Sequence, residues 1–273
     1  MITFPNAKIN LGLSVIAKRA DGYHDLETVF YPIGIKDALE IIVREEPGCS
    51  LFITGIPVAG DQEDNLVVKA YRKLSERFNL PGINIYLHKH IPFGAGMGGG
   101  SADAAFMVKM LNDYFSLGLS PAEIENAAGE LGADCPFFCR NTPVFAEGTG
   151  NLFSPVDFSL KGYFLVVVKP PVSVSTKDAF GGIQPSLPEN HVREIVSTLP
   201  VTEWKKVLKN DFEVTVFKLY PELAQLKTQL YESGALYASM SGSGSALFGI
   251  FDQPTDLSAR FAGCFVWEGA CEY

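Results

Sequence analysis

No apolar run in the 273-residue chain approaches the roughly 18 residues needed to span a bilayer; the densest, Tyr163-Phe164-Leu165-Val166-Val167-Val168, has the length of a buried strand. Basic residues are in deficit, 22 Lys and Arg against 31 Asp and Glu. The net charge of −9 argues against nucleic acid as a partner, because a polyanion would be repelled. Cysteine is sparse and unpatterned. The five thiols, Cys49, Cys135, Cys139, Cys264 and Cys271, form no CxxC pair, and no His or further Cys beside Cys135 and Cys139 completes a zinc set. Such usage fits reduced thiols in a cytoplasmic protein. His88 and His90 share a strand face but lack a third ligand. The N-terminus has Lys8 within an alternating pattern and no cleavage site, so it does not read as a signal peptide. Charge runs and internal repeats are missing as well. Apolar content of 47% with 12% aromatics excludes a disordered chain and supports one large or two modest domains.

Glycine, by contrast, is concentrated. Five glycines fall in the seven positions from Gly94 to Gly100, inside Pro92-Phe93-Gly94-Ala95-Gly96-Met97-Gly98-Gly99-Gly100-Ser101-Ala102. The segment follows an alternating strand (Ile83, Ile85, Leu87) and opens a helix-forming run through Leu111. A bare backbone lets successive N–H groups turn inward as an anion cradle, and a helix N-terminus adds the positive end of its dipole. Nucleotide phosphate is therefore the first ligand to consider. A Walker A loop is excluded, because Gly100 stands where its lysine belongs. The match Gly94-x-Gly96-x-x-Gly99 to a dinucleotide fingerprint requires a following parallel strand. Instead Ser120-Pro121-Ala122-Glu123 announces another helix, with Ser120 as N-cap, Pro121 in the first position and Glu123 closing a capping box.

Elsewhere, Ile9, Leu11, Leu13 and Val15 fall on one face of an opening strand and Lys8, Asn10, Gly12 and Ser14 on the other. Strands are expected over residues 26–35, 39–43 and 51–53, and a helix after Asp64-Asn65, stopped by Pro81-Gly82. Gly132 fits the end of the helix begun at Ser120. The second half predicts a strand over 162–169, a helix capped at Ser175 or Thr176, and a Pro/Gly-rich stretch over 181–188 that is either a loop or a mobile flap. Helices follow over 201–208 and 211–232, the latter split by Pro221, then strands over 235–240 and 246–251, a helix from Asp256 and a closing strand near 264–267. That alternation suggests an α+β or βαβ-type sandwich. Two polar residues stand out. Lys8 reads either as a solvated strand lysine or as a functional cation, and Asp134, in an apolar stretch before Cys135-Pro136, either as a helix cap or as a functional carboxylate.

Three ordered segments carry a resemblance. Pro5-Asn6-Ala7-Lys8-Ile9-Asn10-Leu11, the glycine segment, and Ser239-Met240-Ser241-Gly242-Ser243-Gly244 resemble the three motifs of the GHMP small-molecule kinases. Arg19-Ala20-Asp21-Gly22-Tyr23-His24-Asp25-Leu26-Glu27-Thr28 and Leu131-Gly132-Ala133-Asp134-Cys135-Pro136 are similar to the branch acting on a cytidine-diphosphate-linked methylerythritol. The resemblance implies an α+β, two-domain fold with the active site in the interdomain cleft, residues 1–150 carrying the ATP loop and 151–273 the second domain. It implies ATP and Mg²⁺ as cofactors and a small-molecule substrate, with no nucleic acid or membrane partner. Lys8 and Asp134 are the implied catalytic pair, and the segment from Pro92 to Ala102, with Asn65 and Lys89, the implied ATP site. Asn10, Tyr23, His24, Thr176, Ser241, Gly242, Ser243 and Gly244 are the implied substrate contacts. The superfamily's glycine motif often ends in Ser-Ser, whereas Gly100 precedes a single Ser101 here, so the metal's protein ligand is left unassigned.

Overall fold

The computed structural model describes residues 1–58 and 60–273. The chain divides into two compact units, each drawn from separate stretches of sequence. Met1–Ala7, Ile35–Phe93 and Gly98–Asn141 form the first; Lys8–Gly34, Gly94–Met97 and Thr142–Tyr273 form the second.

The chain opens with β1 (Ile2–Thr3), β2 (Asn6–Lys18), β3 (His24–Lys36), β4 (Ala38–Val43) and β5 (Cys49–Gly55). Then come α1 (Leu66–Phe78), β6 (Ile83–Lys89), α2 (Gly99–Tyr114), α3 (Pro121–Gly129) and α4 (Cys135–Arg140). In the first unit the sheet order is β1-β4-β6-β5, with β5 parallel to β6 and the other pairs antiparallel. The register aligns Ile41, Ile85 and Leu51 across three strands, so period-two alternation puts one apolar row on one face. That row packs with Val67, Tyr71 and Leu74 of α1 and Met107, Val108 and Leu111 of α2. Helix boundaries follow local chemistry. Asn65 caps α1 by accepting from the Val67 N–H, and Ser120 and Glu123 form the reciprocal capping box of α3.

Two stops differ from the sequence expectation. Helix α1 ends at Asn79, which takes the left-handed conformation (φ 49°), before Pro81-Gly82 is reached; asparagine tolerates that geometry well enough to end a helix alone. Helix α3 ends at Gly129 with Glu130 as its C-cap, so Gly132 is not its terminator.

The second unit holds the rest of β2 and β3 with β7 (Val144–Glu147) and β8 (Leu152–Pro155), in the order β2-β3-β7-β8. Then follow β9 (Phe164–Lys169), α5 (Thr176–Gly181), α6 (Val192–Thr198), α7 (Val201–Val207), α8 (Phe212–Leu219), α9 (Pro221–Glu232), β10 (Tyr237–Met240), β11 (Leu247–Phe251) and β12 (Phe265–Ala270). The last four strands form an antiparallel sheet ordered β10-β11-β9-β12. Its core joins Val166, Val168 and Leu247 to Phe212, Val216, Leu223 and Leu230 of α8 and α9. Pro221 splits the long helical stretch as expected, because proline has no N–H to continue the ladder. The helix expected from Asp256 does not form; residues 257–264 make isolated turns that bury Leu257 and Phe261. Their four-residue spacing mimics a helical stripe that Gly263 cuts short.

Replacing Ser120 with Ala removes the side-chain half of the α3 capping box, the bond from the Glu123 N–H to Ser120 Oγ, and leaves the Ser120 N–H bond to Glu123. The expected loss is about 1 kcal/mol, read as a lower denaturant midpoint with an unchanged slope.

Candidate active site

The glycine segment alternates its backbone hand. Gly94, Gly96 and Gly98 lie at φ 62°, 74° and 70°, while Ala95 and Met97 between them are buried. This alternation curls consecutive N–H groups toward one side, the geometry of an anion-binding nest. Gly98 then serves as N-cap of α2 without any side-chain cap, so the first-turn N–H groups of the helix are left to a ligand or solvent. A Cβ on Gly94 or Gly100 would meet nothing within 4 Å, and neither position is crowded from above. Position 96 tolerates only glycine, since a Cβ there would stand 1.9 Å from the Ser241 carbonyl oxygen.

Within the second unit, all three recognised motifs meet at one atom. The Gly96 carbonyl accepts from Lys8 Nζ at 3.1 Å and from Ser241 Oγ at 2.8 Å. Lys8 Nζ also donates to Asn10 Oδ1 at 2.7 Å, and the Asn10 amide donates to Thr28 Oγ1 at 3.1 Å. The Asn10 N–H reaches back to Ser241 Oγ at 3.3 Å. Lys8 is only 4% exposed, which removes the reading as a solvated strand lysine. Both faces of β2 are buried from Asn6 to Val15, so its polar face is an interior one. Thr176 Oγ1 lies 3.5 Å from Ser243 Oγ, joining the start of α5 to the turn through Gly242 and Gly244. His24 stacks on Phe180, with centroids 4.6 Å apart and planes 20° apart, while Tyr23 beside it is 67% exposed.

The remaining expected residues belong to the first unit. Asp134 occupies the N-cap position of α4, yet its side chain makes no capping hydrogen bond, so the capping role does not account for it. The next residue, Cys135, lies beside Ser101 of α2; burial pushes its thiol up to about 11, partly offset by the Ser101 hydroxyl. Ala102 is buried in the same turn. Pro92 is buried and Phe93 exposed at the loop entrance, and Asn65 caps α1. Lys89 is 4% exposed, its ammonium held between Asp37 and Asp103. Burial alone would lower the lysine's pKa, but Asp103 and Asp37 more than offset this and it is raised.

Residues 65–141 match the family described as GHMP kinases N terminal domain, and residues 201–263 match GHMP kinases C terminal. The chain is 56% identical to the 4-diphosphocytidyl-2-C-methyl-D-erythritol kinase of Parabacteroides distasonis, over 98% of this chain and 99% of that protein. It is 55% identical to the kinase of the same name from Bacteroides fragilis, with the same coverage. A crystal structure of 4-(cytidine 5′-diphospho)-2C-methyl-D-erythritol kinase matches with a TM-score of 0.81 at 31% identity, covering 98% of each chain. The chain belongs to the GHMP kinases, in the 4-diphosphocytidyl-2-C-methyl-D-erythritol kinase family.

Two features of this GHMP kinase escaped the sequence reading. Phe180 gains its importance only from the ring it stacks on; a lone aromatic beside Gly181-Gly182 carries no local signal. The second is the buried cluster around Lys89. Asp37 Oδ1 accepts from the His90 and Ile91 N–H groups at 2.6 and 2.8 Å, tying the end of β6 to the β3–β4 junction. Asp103 Oδ2 accepts from Lys89 at 2.6 Å, while its Oδ1 is buried with no hydrogen-bond partner. Two carboxylates thus share one ammonium, and burial raises the Asp103 pKa from 3.8 to about 7. The folded chain therefore keeps a proton that the unfolded chain releases, and stability falls as pH rises through that window. Asp103→Asn cannot titrate. The stability difference, variant minus wild type, should grow by on the order of a few kcal/mol from pH 3.8 to about 7 and then level off. Denaturant titrations at stepped pH measure it; a pH-independent difference would refute the raised Asp103 pKa.

Proposed function

We propose that this protein transfers the γ-phosphoryl group of ATP to the 2-hydroxyl of 4-(cytidine 5′-diphospho)-2-C-methyl-D-erythritol, a step of non-mevalonate isoprenoid precursor synthesis. The observation that carries the reading is the junction at Gly96, where the lysine strand, the glycine loop and the serine turn are joined by hydrogen bonds to one carbonyl. In this reading residues 1–150 supply the ATP loop together with Asn10, Tyr23 and His24, and residues 151–273 supply Thr176 and the turn from Ser241 to Gly244. The enzyme works in the cytoplasm, in keeping with its five free cysteines. Among the described residues no helix is long and apolar enough to cross a membrane.

Phosphoryl transfer leaves the protein mainly positioning and charge stabilisation to supply. The 2-hydroxyl oxygen bonds to the γ-phosphorus as the bond to the β–γ bridging oxygen breaks and ADP departs. Asp134 orients that hydroxyl and takes its proton. Lys8 offsets the charge gathering on the transferred group. The first-turn N–H groups of α2 and the nest hold the ATP phosphates. Mg²⁺ takes oxygen ligands and keeps several from water and phosphate; the Ser101 hydroxyl and the Asp134 carboxylate, both close enough to influence the Cys135 thiol, are hard donors that would hold it. When bound, it neutralises phosphate charge. Tyr23, His24 and Phe180 form the base-recognition group, with Tyr23 an exposed ring able to stack on cytosine and His24 supplying a hydrogen bond to its edge. Asn10, Thr176 and the turn from Ser241 to Gly244 hold the methylerythritol and its phosphates.

Coupled ADP release with the cytidylyl substrate, run against homoserine, mevalonate and sugars, tests the assignment. Turnover confined to another alcohol would replace it. Asp134→Ala should abolish turnover while ATP still binds; near-normal rate would remove Asp134 from the chemistry. Tyr23→Ala should raise KM for the cytidylyl substrate at least about tenfold and leave KM for ATP nearly unchanged. Equal rises for both would move Tyr23 out of the base site.

A further inference from the structure

Asn210 lies outside every recognised motif, yet it is only 2% exposed and its side chain is fully engaged. The two N–H groups of its amide go one each to the Met240 and Gly242 carbonyls, both at 2.8 Å. Those carbonyls flank Ser241. The amide oxygen accepts from the Phe212 N–H at 3.0 Å, starting α8. This orientation is chemically forced, since a flipped amide would set oxygen against two carbonyl oxygens. The segment bearing Asn210 is itself fastened to β2: Leu13 N–H donates to the Lys209 carbonyl at 2.8 Å, Asp211 N–H to the Leu13 carbonyl at 2.9 Å, and Val15 N–H to Asp211 Oδ2 at 2.8 Å.

The hydrogen bonds therefore close a ring. Strand β2 carries Lys8 and, five residues on, anchors the segment with Asn210. Asn210 grips the turn on either side of Ser241. Ser241 donates to the Gly96 carbonyl, and that carbonyl receives Lys8. We propose that Asn210 is a positioning residue for phosphoryl transfer, acting through Ser241 and Gly96 on the placement of Lys8. The inference rests on the proposed function, in which Lys8 serves the transferring group. Misplacing a reacting group by about 1 Å costs on the order of 100-fold in rate, so a two-step tether of this kind has a measurable effect. A purely structural role would instead scale with lost stability, whichever residue caused the loss.

Asn210→Asp separates the two functions of the side chain. The carboxylate still accepts the Phe212 N–H but has no donor for Met240 and Gly242. ADP release is measured for wild type, Asn210→Asp, Ser241→Ala, the double variant, and Val216→Ala, which removes fully buried core volume from α8 without touching the ring. The expected result is a fall in kcat of at least about tenfold for each ring variant. The double variant should fall no further than the deeper single one, because both changes cut the same tether. Val216→Ala should lower the melting temperature and keep kcat within about twofold. If Asn210→Asp is not recovered folded, Asn210→Ser is read in the same way. Multiplicative effects, a kcat for the Asn210 variant within about twofold of wild type, or a kcat loss in Val216→Ala matching its stability loss would each overturn the inference. A wild type that turns over nothing in the panel sinks the proposed function and this inference with it; an active wild type with additive variants sinks this inference alone.

Discussion

A peptide carbonyl has two lone pairs, and at Gly96 both are taken by side chains, Lys8 from one side and Ser241 from the other. Much else in the second unit follows from that double acceptance. Gly96 must adopt a positive φ to aim its oxygen there while its own α-carbon lies against the serine turn. Lys8 must leave solvent to reach the carbonyl, and burying an ammonium is tolerated only where its hydrogens are matched. Asn10 supplies one match, and the Phe30 ring lies 4.8 Å beneath the charge. The polar face of β2 is therefore an interior polar surface, which explains why Lys8 and Asn10 stand where threonine or serine would be easier to bury.

The first unit handles its buried lysine differently. Lys89 is matched by two carboxylates, and Asp37 is further saturated by two backbone N–H groups. Breaking such a cluster costs more than forming it gains, since removing one partner strands a charge in a low dielectric. What the cluster secures is geometry: the end of β6 and the early turns of α2 are fastened on either side of the glycine loop. Gly99 fits into this arrangement closely, as a Cβ would lie 2.8 Å from the Ile91 side chain and 3.5 Å from Lys89 Nζ. Two of the three Lys89 ammonium hydrogens have acceptors in Asp37 and Asp103.

Local rules made most of the scaffold legible. The Ser120 capping box, the Asn65 cap, the break at Pro221 and the alternating strands all rest on neighbours within four residues, and each stands where those rules put it. The glycine loop was legible for the same reason. What escaped depends on contacts distant in sequence. Phe180 matters because of His24, 156 positions earlier, and Asn210 because of a turn 30 positions later. Helix α6 is short and follows its N-cap residue His191, whose Nδ1 meets Glu27 while Glu27 also accepts from the Val192 N–H. A tertiary carboxylate there replaces the local cap that would have announced it. The false helix from Asp256 is the converse error, apolar spacing of local origin that the tertiary fold used to bury two side chains in turns.

A chain of net charge −9 that binds two anionic nucleotides meets an apparent conflict. Screening resolves it. At physiological ionic strength the field of exposed carboxylates decays over about 8 Å, so distant acids neither help nor greatly hinder a bound phosphate. Affinity must then come from groups in direct contact, and uncapped backbone N–H donors suit that need because they bring partial positive charge without a counter-ion to displace. Within its own unit, Lys8 meets the Asn10 amide oxygen and the Gly96 carbonyl, which help fix its position. Lys89, by contrast, lies between the carboxyl groups of Asp37 and Asp103. The two buried lysines thus differ in the contacts each makes within its own unit, amide and carbonyl oxygens for Lys8 and carboxylates for Lys89.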